Sequence, residues 1–331
     1  MTVAEALHEL RTDPRPFATG EVLAMASRHG LENAVRRREI IRILPGLYSA
    51  ALHSDSWLVL ARAALQWSPD AVLSGASALF AAGALLDAPS RIEVVVPRHG
   101  RRRYPAWIAA RRSDLVLPTA PWIEAHRMLV PAYAVALGYG AAPPGFRAEL
   151  VYGPVRSGRT TPEEIDAAVR SLPRVRSRRA LHRRAALAAA GIESFVEEVG
   201  ARDVLAGPEF AGLVRQHRLH VRGASFRVDA FHAPSLTAFE FDGARFHDAR
   251  RLEDARRDAV LASVGVVTVR FGYADVMNRP DWCRDVALRT VQARVRDDPL
   301  PGGAGSADAH GTARGGPTRQ AGAGRLEPWA R

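Results

Sequence analysis

Nine residues, FEFDGARFH from 239 to 247, set Glu240, Asp242 and His247 among three phenylalanines. Alternate side chains of a strand share one face, so Glu240 and Asp242 look to the same side about 6.6 Å apart, with Phe239 and Phe241 packed on the other. The preceding FRVDAF segment brings Asp229 directly opposite Glu240 if the connecting loop holds residues 233–236; a slip of one residue would reverse its face. Three carboxylates on one patch repel one another and have raised pKa values unless a cation neutralises them. Oxygen donors with no cysteine and few histidines suit Mg²⁺ (or Mn²⁺), held by Asp229, Glu240 and Asp242. Such an ion activates water and stabilises a pentavalent phosphate, the main requirements of phosphodiester hydrolysis. His247 is placed to act as general base or to protonate the leaving oxygen, although a lone histidine near a strand end is more often structural.

The elements that must hold these groups follow from about residue 185. IESFVEEVGARDVL has the pattern of a helix, HRLHVRG, ASFRVDAF and LTAFEFDG those of strands, RLEDARRDAVLASVG of a second helix and VVTVRFG of a last strand. On the second helix Asp254, Arg257 and Asp258 share a face at i, i+3 and i+4, where Asp254 is expected in salt bridges and Arg257 on phosphate. Arg270, on the last strand, is a second phosphate-contact candidate.

Toward the N-terminus, GEVLAMASRHG reads as a short helix stopped at Gly30, and LENAVRRRE as a second helix carrying Arg36, Arg37 and Arg38. IIRILPGLYSA then reads as a strand turned by Pro45 and Gly46, with Arg42 on it. Helix, turn, basic helix and hairpin is a winged-helix order, which would put Arg36, Arg37 and Arg38 in a major groove and Arg42 on the backbone. A solvated basic helix face is the competing account, at even odds.

Between these regions, TTPEEIDAAV carries a capping box of Thr161 and Glu164 with Pro162 at the first helical position. Residues 170–184 then hold seven arginines and no acid, either a solvated linker helix or a strip along nucleic acid. From 296 the Gly-, Pro- and Ala-rich composition reads as a disordered tail.

Composition agrees with a polyanionic partner. The 331 residues suffice for two domains, and the formal charge is +11 with every one of the 46 basic residues an arginine. A single cysteine, Cys283, excludes a disulfide framework and suits a reducing cytoplasm. The start of the chain lacks the order of a signal peptide, and the longest apolar stretch is broken by Pro131, Gly138 and Gly140, so no membrane association is expected.

The first 115 or so residues resemble the AbiEi-type antitoxins of bacterial toxin-antitoxin systems in RILPGLYS, AVLSGASALFAAGAL and VVVPRHGRRR. The resemblance implies double-stranded DNA as partner, often at the protein's own promoter, and a cognate toxin; past Pro118 the pattern departs. Residues from about 186 to 293 are similar to the uncharacterised endonuclease-like domain related to very-short-patch mismatch repair endonucleases, within the PD-(D/E)xK superfamily. GIESFVEEV, FRVDAF, FEFDGARFH, RRDAVLASVG and VVTVRFGYADV carry the likeness. It implies that Asp229 and Glu240 are the motif acids, Glu193 the acid of the preceding helix and His247 the repair-enzyme histidine, with Asp242 where the motif has lysine. The chain has no lysine, so Asp242, His247 or Arg245 must substitute, and the repair enzymes' zinc ligands are missing.

The expected fold is α/β overall. A tail (1–16) precedes a winged helix-turn-helix region (17–118), a helical basic connector (119–185), a restriction-endonuclease-like α/β/α domain with a mixed sheet (186–295) and a second tail (296–331). The expected function is metal-dependent cleavage of DNA. The alternative is an antitoxin-type regulator whose nuclease-like domain binds without cutting; a glycosidase pair finds no aromatic sugar cleft to serve it.

Overall fold

The computed structural model describes residues 3–99, 102–242 and 248–296. The chain is an α/β protein with three sheets. The first unit runs α1 (Val3–Thr12), β1 (Phe17–Ala18), α2 (Thr19–Met25), α3 (Arg28–Arg36), β2 (Ile40–Leu44) and β3 (Leu47–Ala50), with sheet order β1-β3-β2. This is the order expected of a winged helix, with β2 and β3 as the wing. Two boundaries differ from the sequence reading. Residues 3–12 are a helix rather than a tail, because Ala6 and Leu10, one turn apart, are buried against Phe17 and Val22. Gly30 does not stop a helix: Ser27 accepts the Gly30 N–H at 3.1 Å as N-cap, so α3 begins at Arg28.

The second unit comprises α4 (Trp57–Trp67), β4 (Val72–Leu73), α5 (Gly75–Ala81), β5 (Ile92–Val96), β6 (Ile108–Arg112), β7 (Thr119–Pro121), β8 (Arg127–Leu129), α6 (Pro131–Gly138), α7 (Glu149–Arg156), α8 (Pro162–Ser171) and α9 (Arg178–Ala189). Its sheet order is β6-β5-β4-β8-β7. Residues 119–185 are therefore not a connector. β7 and β8 complete the sheet, and Leu137, Tyr152, Ile165 and Leu181 from α6 to α9 share one core with Leu73 and Val94. The capping box at Thr161 forms as expected, with the Glu164 N–H on Thr161 Oγ1 at 3.2 Å and the Thr161 N–H on the Glu164 carboxylate at 3.0 Å.

The third unit holds α10 (Phe195–Val199), β9 (Leu213–Val221), β10 (Ala224–His232), β11 (Thr237–Asp242), α11 (Asp248–Ala262), β12 (Val267–Gly272), α12 (Tyr273–Asn278) and α13 (Pro280–Arg296). The sheet order is β12-β11-β10-β9; β9, β10 and β11 form an antiparallel meander, and β12 runs parallel to β11 after the α11 crossover. Phe239, Phe241 and Phe271 pack with α10, α12 and α13, whereas Val228, Phe231 and Ala238 pack with Leu261 of α11. Helices thus cover both faces of the sheet in an α/β/α layering. The pair His232↔Thr237 confirms the loop at residues 233–236. Among the described residues no helix is long and apolar enough to cross a membrane.

Candidate functional site

Alternation along β11 sends Phe239 and Phe241 into the core with α10, leaving Glu240 to the side of α11. There the guanidinium of Arg257 meets Glu240 Oε1, and the same Nη2 donates to the Arg227 carbonyl at 2.5 Å. Glu240 is buried, and burial together with the charge of Asp229 pushes it up to about 7, against the pull of Arg257.

Asp242 ends β11 and lies 3.6 Å from Arg270, the β12 residue paired with Glu240. Arg270 is shared: it forms two hydrogen bonds of 3.1 Å to Asp258 and approaches Asp254 at 3.7 Å. Burial raises the Asp242 carboxyl although Arg270 opposes it. The salt bridge expected of Asp254 is present. Arg257 and Arg270, expected on phosphate, are turned onto these acids instead.

Asp229 sits where the β9–β10 ladder skips a step, between the pairs Val228↔His217 and Ala230↔Arg215. Val228 and Ala230 enter different cores, and the skipped partner, Gln216, has a φ of +48°. A non-glycine residue held there is strained. Asp229 Oδ2 accepts the Phe241 N–H at 2.8 Å, and Oδ1 meets Gln216 Nε2 at 3.5 Å. Burial raises its pKa.

Glu193 is not on the preceding helix. It lies before the N-cap Ser194, and its carboxylate binds Arg227 at 2.5 Å. The helix acid that reaches Asp229 is Glu197, one turn further on, joined to it through Gln216 Nε2 at 3.1 Å. Burial first, then the charge of Asp229, pushes Glu197 up to about 7. Glu197, three residues after the N-cap Ser194, is partly spent on the helix start, where it accepts the Glu193 N–H at 2.9 Å and the Ser194 hydroxyl at 2.8 Å. Glu197, Gln216 and Asp229 border a cavity of about 20 Å³, room for roughly one water. Gln216 Oε1 and Arg257 Nε are buried without a hydrogen-bond partner among the described residues.

His247 and Arg245 lie outside the described residues. Among the described residues no three carboxylate, imidazole or thiol groups converge to hold a metal ion. The cradle of Asp229, Glu240 and Asp242 is thus not formed: the ladder defect turns Asp229 onto a backbone N–H, and Arg257 and Arg270 take the other two as counter-charges. The described residues do not fit Mg²⁺ or Mn²⁺ in this arrangement.

The winged helix presents a different balance. Arg36, Arg37 and Arg38 are exposed where α3 turns into β2, and Arg42 is exposed on the wing. Arg28 and His29, exposed in the first turn of α3, were hidden by the misread stop at Gly30. Among the described residues none of these five arginines forms an ion pair, in contrast to Arg15, which holds Asp13 and Glu21 at 2.6 and 2.7 Å. A second exposed basic row, Arg215, Arg218, His220 and Arg222, runs along the edge strand β9 and its turn; HRLHVRG was its signal.

No protein-family model matches the chain. No curated protein matches it either. Among solved structures, the RV2827C protein from Mycobacterium tuberculosis is similar over 56% of this chain and 75% of its own, at 17% identity and a TM-score of 0.39. That likeness is too slight to carry an assignment of function.

Proposed function

We propose that this protein is a double-stranded DNA-binding regulator of the antitoxin type, in which the winged helix holds the duplex and the endonuclease-like domain binds without cutting. One observation carries the reading. Among the described residues the arginines of α3 and the wing are exposed and form no ion pair, while those facing the acids of the third unit are neutralised within the protein. Free arginines on a helix and hairpin of this order suit phosphates and guanine edges. A cytoplasmic location and a toxin encoded nearby belong to the same reading and rest on the sequence resemblance and the single cysteine. The test is fluorescence anisotropy with a labelled duplex from the protein's own promoter. Affinity should fall steeply with salt, and Arg36→Ala with Arg42→Ala should weaken it and lower the salt slope by about 2. Unchanged affinity in that variant, or none at low salt, overturns the reading.

A second reading, metal-dependent cleavage of DNA, is favoured by the charge of Asp229 acting on both Glu197 and Glu240, each with its carboxyl pushed up to about 7. It requires Arg257 to leave Glu240. Supercoiled plasmid incubated with Mg²⁺ or Mn²⁺, beside Asp229→Ala and Glu240→Ala, decides: nicking by the wild type and not by the variants would establish cleavage, and an intact plasmid would end it.

A further inference from the structure

A wide cleft lies in the second unit, lined by none of the acids of β10 and β11. Its volume is about 1270 Å³, beyond the usual span for small-molecule sites, and six arginines line it against two acids, Asp87 and Glu93. Neither the winged helix nor the endonuclease-like site uses it.

Two side chains show that the cleft is built for a charge it does not supply. In the parallel pairing of β5 and β6, Glu93 stands beside Ala109 and Val95 beside Arg111, so Glu93 and Arg111 share a sheet face two positions apart. Arg111 is half-buried and donates to the Leu137 carbonyl at 3.2 Å. Its charged neighbour is a second cation, Arg176; burial and that like charge both lower its pKa, and among the described residues no carboxylate forms an ion pair with it. Arg111, half-buried, and Arg176, exposed, line the same cleft and repel each other, and an anion between them would relieve that repulsion.

Glu93 is as deliberately placed. Its carboxylate accepts the Ala76 N–H and occupies the space a side chain at Gly75 would fill, with Oε2 only 1.7 Å from where a Cβ would stand. Gly75, at a φ of +52°, lies close against the backbone of Gly138, so the floor beneath Glu93 is fixed. Tyr104 and Phe146 supply aromatic surface on the walls.

We propose that this cleft binds a nucleoside phosphate, with the phosphate between Arg111 and Arg176, the base against Tyr104 and Phe146, and Glu93 accepting a hydrogen bond from the base or sugar. Arginine pairs match phosphate oxygens in number and geometry. Aromatic faces stack on bases, and the Glu93 carboxylate selects for donor N–H or O–H groups. A free nucleotide fits better than a polymer, because a continuous phosphate backbone would have to pass Glu93. The proposal stands independently of what the other two units do.

Isothermal titration of the full chain with adenosine, guanosine, cytidine and uridine mono- and triphosphates tests it. At least one should bind with a Kd on the order of 10 µM, a free energy of about −7 kcal/mol. Arg111→Met should weaken that nucleotide at least tenfold, and Glu93→Gln should change the preference among bases. Thermal unfolding without ligand and promoter-duplex affinity should stay as in the wild type for Arg111→Met, which separates loss of the site from loss of the fold. Three results overturn the proposal: no heat from any nucleotide; equal binding by Arg111→Met; or displacement by a single-stranded oligonucleotide at the same phosphate concentration, which would make the cleft a nucleic-acid channel. Binding of inorganic phosphate as tight as that of the best nucleotide would likewise remove the role given to the aromatic walls and Glu93.

Discussion

Arg257 and Glu240 form a buried pair that ties three elements together: the guanidinium on α11 meets the carboxylate on β11 and, at 2.5 Å, the Arg227 carbonyl on β10. Both side chains are largely buried, at 19% and 10% exposure, so water screens the pair weakly. The acid that the fold would offer to a metal is thereby neutralised by the protein's own cation.

Removing one partner of such a pair costs more than the pair contributes, because the other charge is left in a low-dielectric site. Arg257→Ala should therefore destabilise the third unit by about 3 kcal/mol in urea unfolding. Arg257→Met combined with Glu240→Leu should recover most of that loss. Additive losses in the double variant would show that the two side chains do not depend on each other.

The carboxyls of Glu197 and Glu240, both pushed up to about 7 by burial and by Asp229, make stability depend on pH. A folded-state pKa above the unfolded value means that the native protein binds more protons between about 4.5 and 7, so stability falls as pH rises through that window. Measured from pH 5 to pH 8, Tm should drop, with the two groups contributing a few kcal/mol together. Glu197→Gln should flatten the curve, since the amide carries no charge to desolvate. A wild-type Tm rising across the same range would contradict the assignment.

Gly200 opens the wide helical turn of residues Gly200–Val204, and a Cβ there would stand 2.3 Å from the ring of Phe241. The ring cannot yield freely, because it packs on Phe271 with centroids 5.9 Å apart. Gly200→Ala should cost about 1–3 kcal/mol through overpacking, and Phe241→Leu should restore part of it. Chemical denaturation of the single and double variants measures both.

The strands of the third unit were legible because their apolar alternation is strict and their loops short, and the 233–236 loop fixed the register of Asp229 against Glu240. What local pattern could not show was the skipped step at Asp229 and Gln216. A backbone at φ +48° leaves no mark in residue type, since glycine does not stand there. Arginines were read as outward phosphate contacts because charge usually faces water; Arg257 and Arg270 turn inward because seven acids, Glu193, Glu197, Asp229, Glu240, Asp242, Asp254 and Asp258, collect around β10 and β11 from distant segments. The connector was misjudged for the opposite reason. The seven arginines of residues 170–184 hid Leu172 and Leu181, which are buried in the second core.

One of those arginines, Arg184, joins the second and third units. Its guanidinium forms a two-pronged pair with Glu198 at 2.8 and 2.9 Å and donates to the Tyr139 hydroxyl at 2.9 Å, while the Tyr152 hydroxyl donates to the same Glu198 oxygen at 2.9 Å. Arg184 and Glu198 are exposed by only 14% and 9%, so every charge and hydroxyl in this junction depends on another protein group. Burial raises the Tyr139 hydroxyl, which keeps it protonated and able to act in the network at neutral pH. Glu198→Ala would strand a buried guanidinium and unpartner Tyr152, a loss of about 3–5 kcal/mol. Because α9 belongs to the second core and α10 to the third, that loss falls on the coupling between units rather than on either core. Calorimetry of the wild type should show units two and three melting together, and Glu198→Ala should resolve two transitions, the lower belonging to the third unit. A single transition merely shifted downward would mean that the apolar contacts of Ile192 and Phe195 hold the units together without the network.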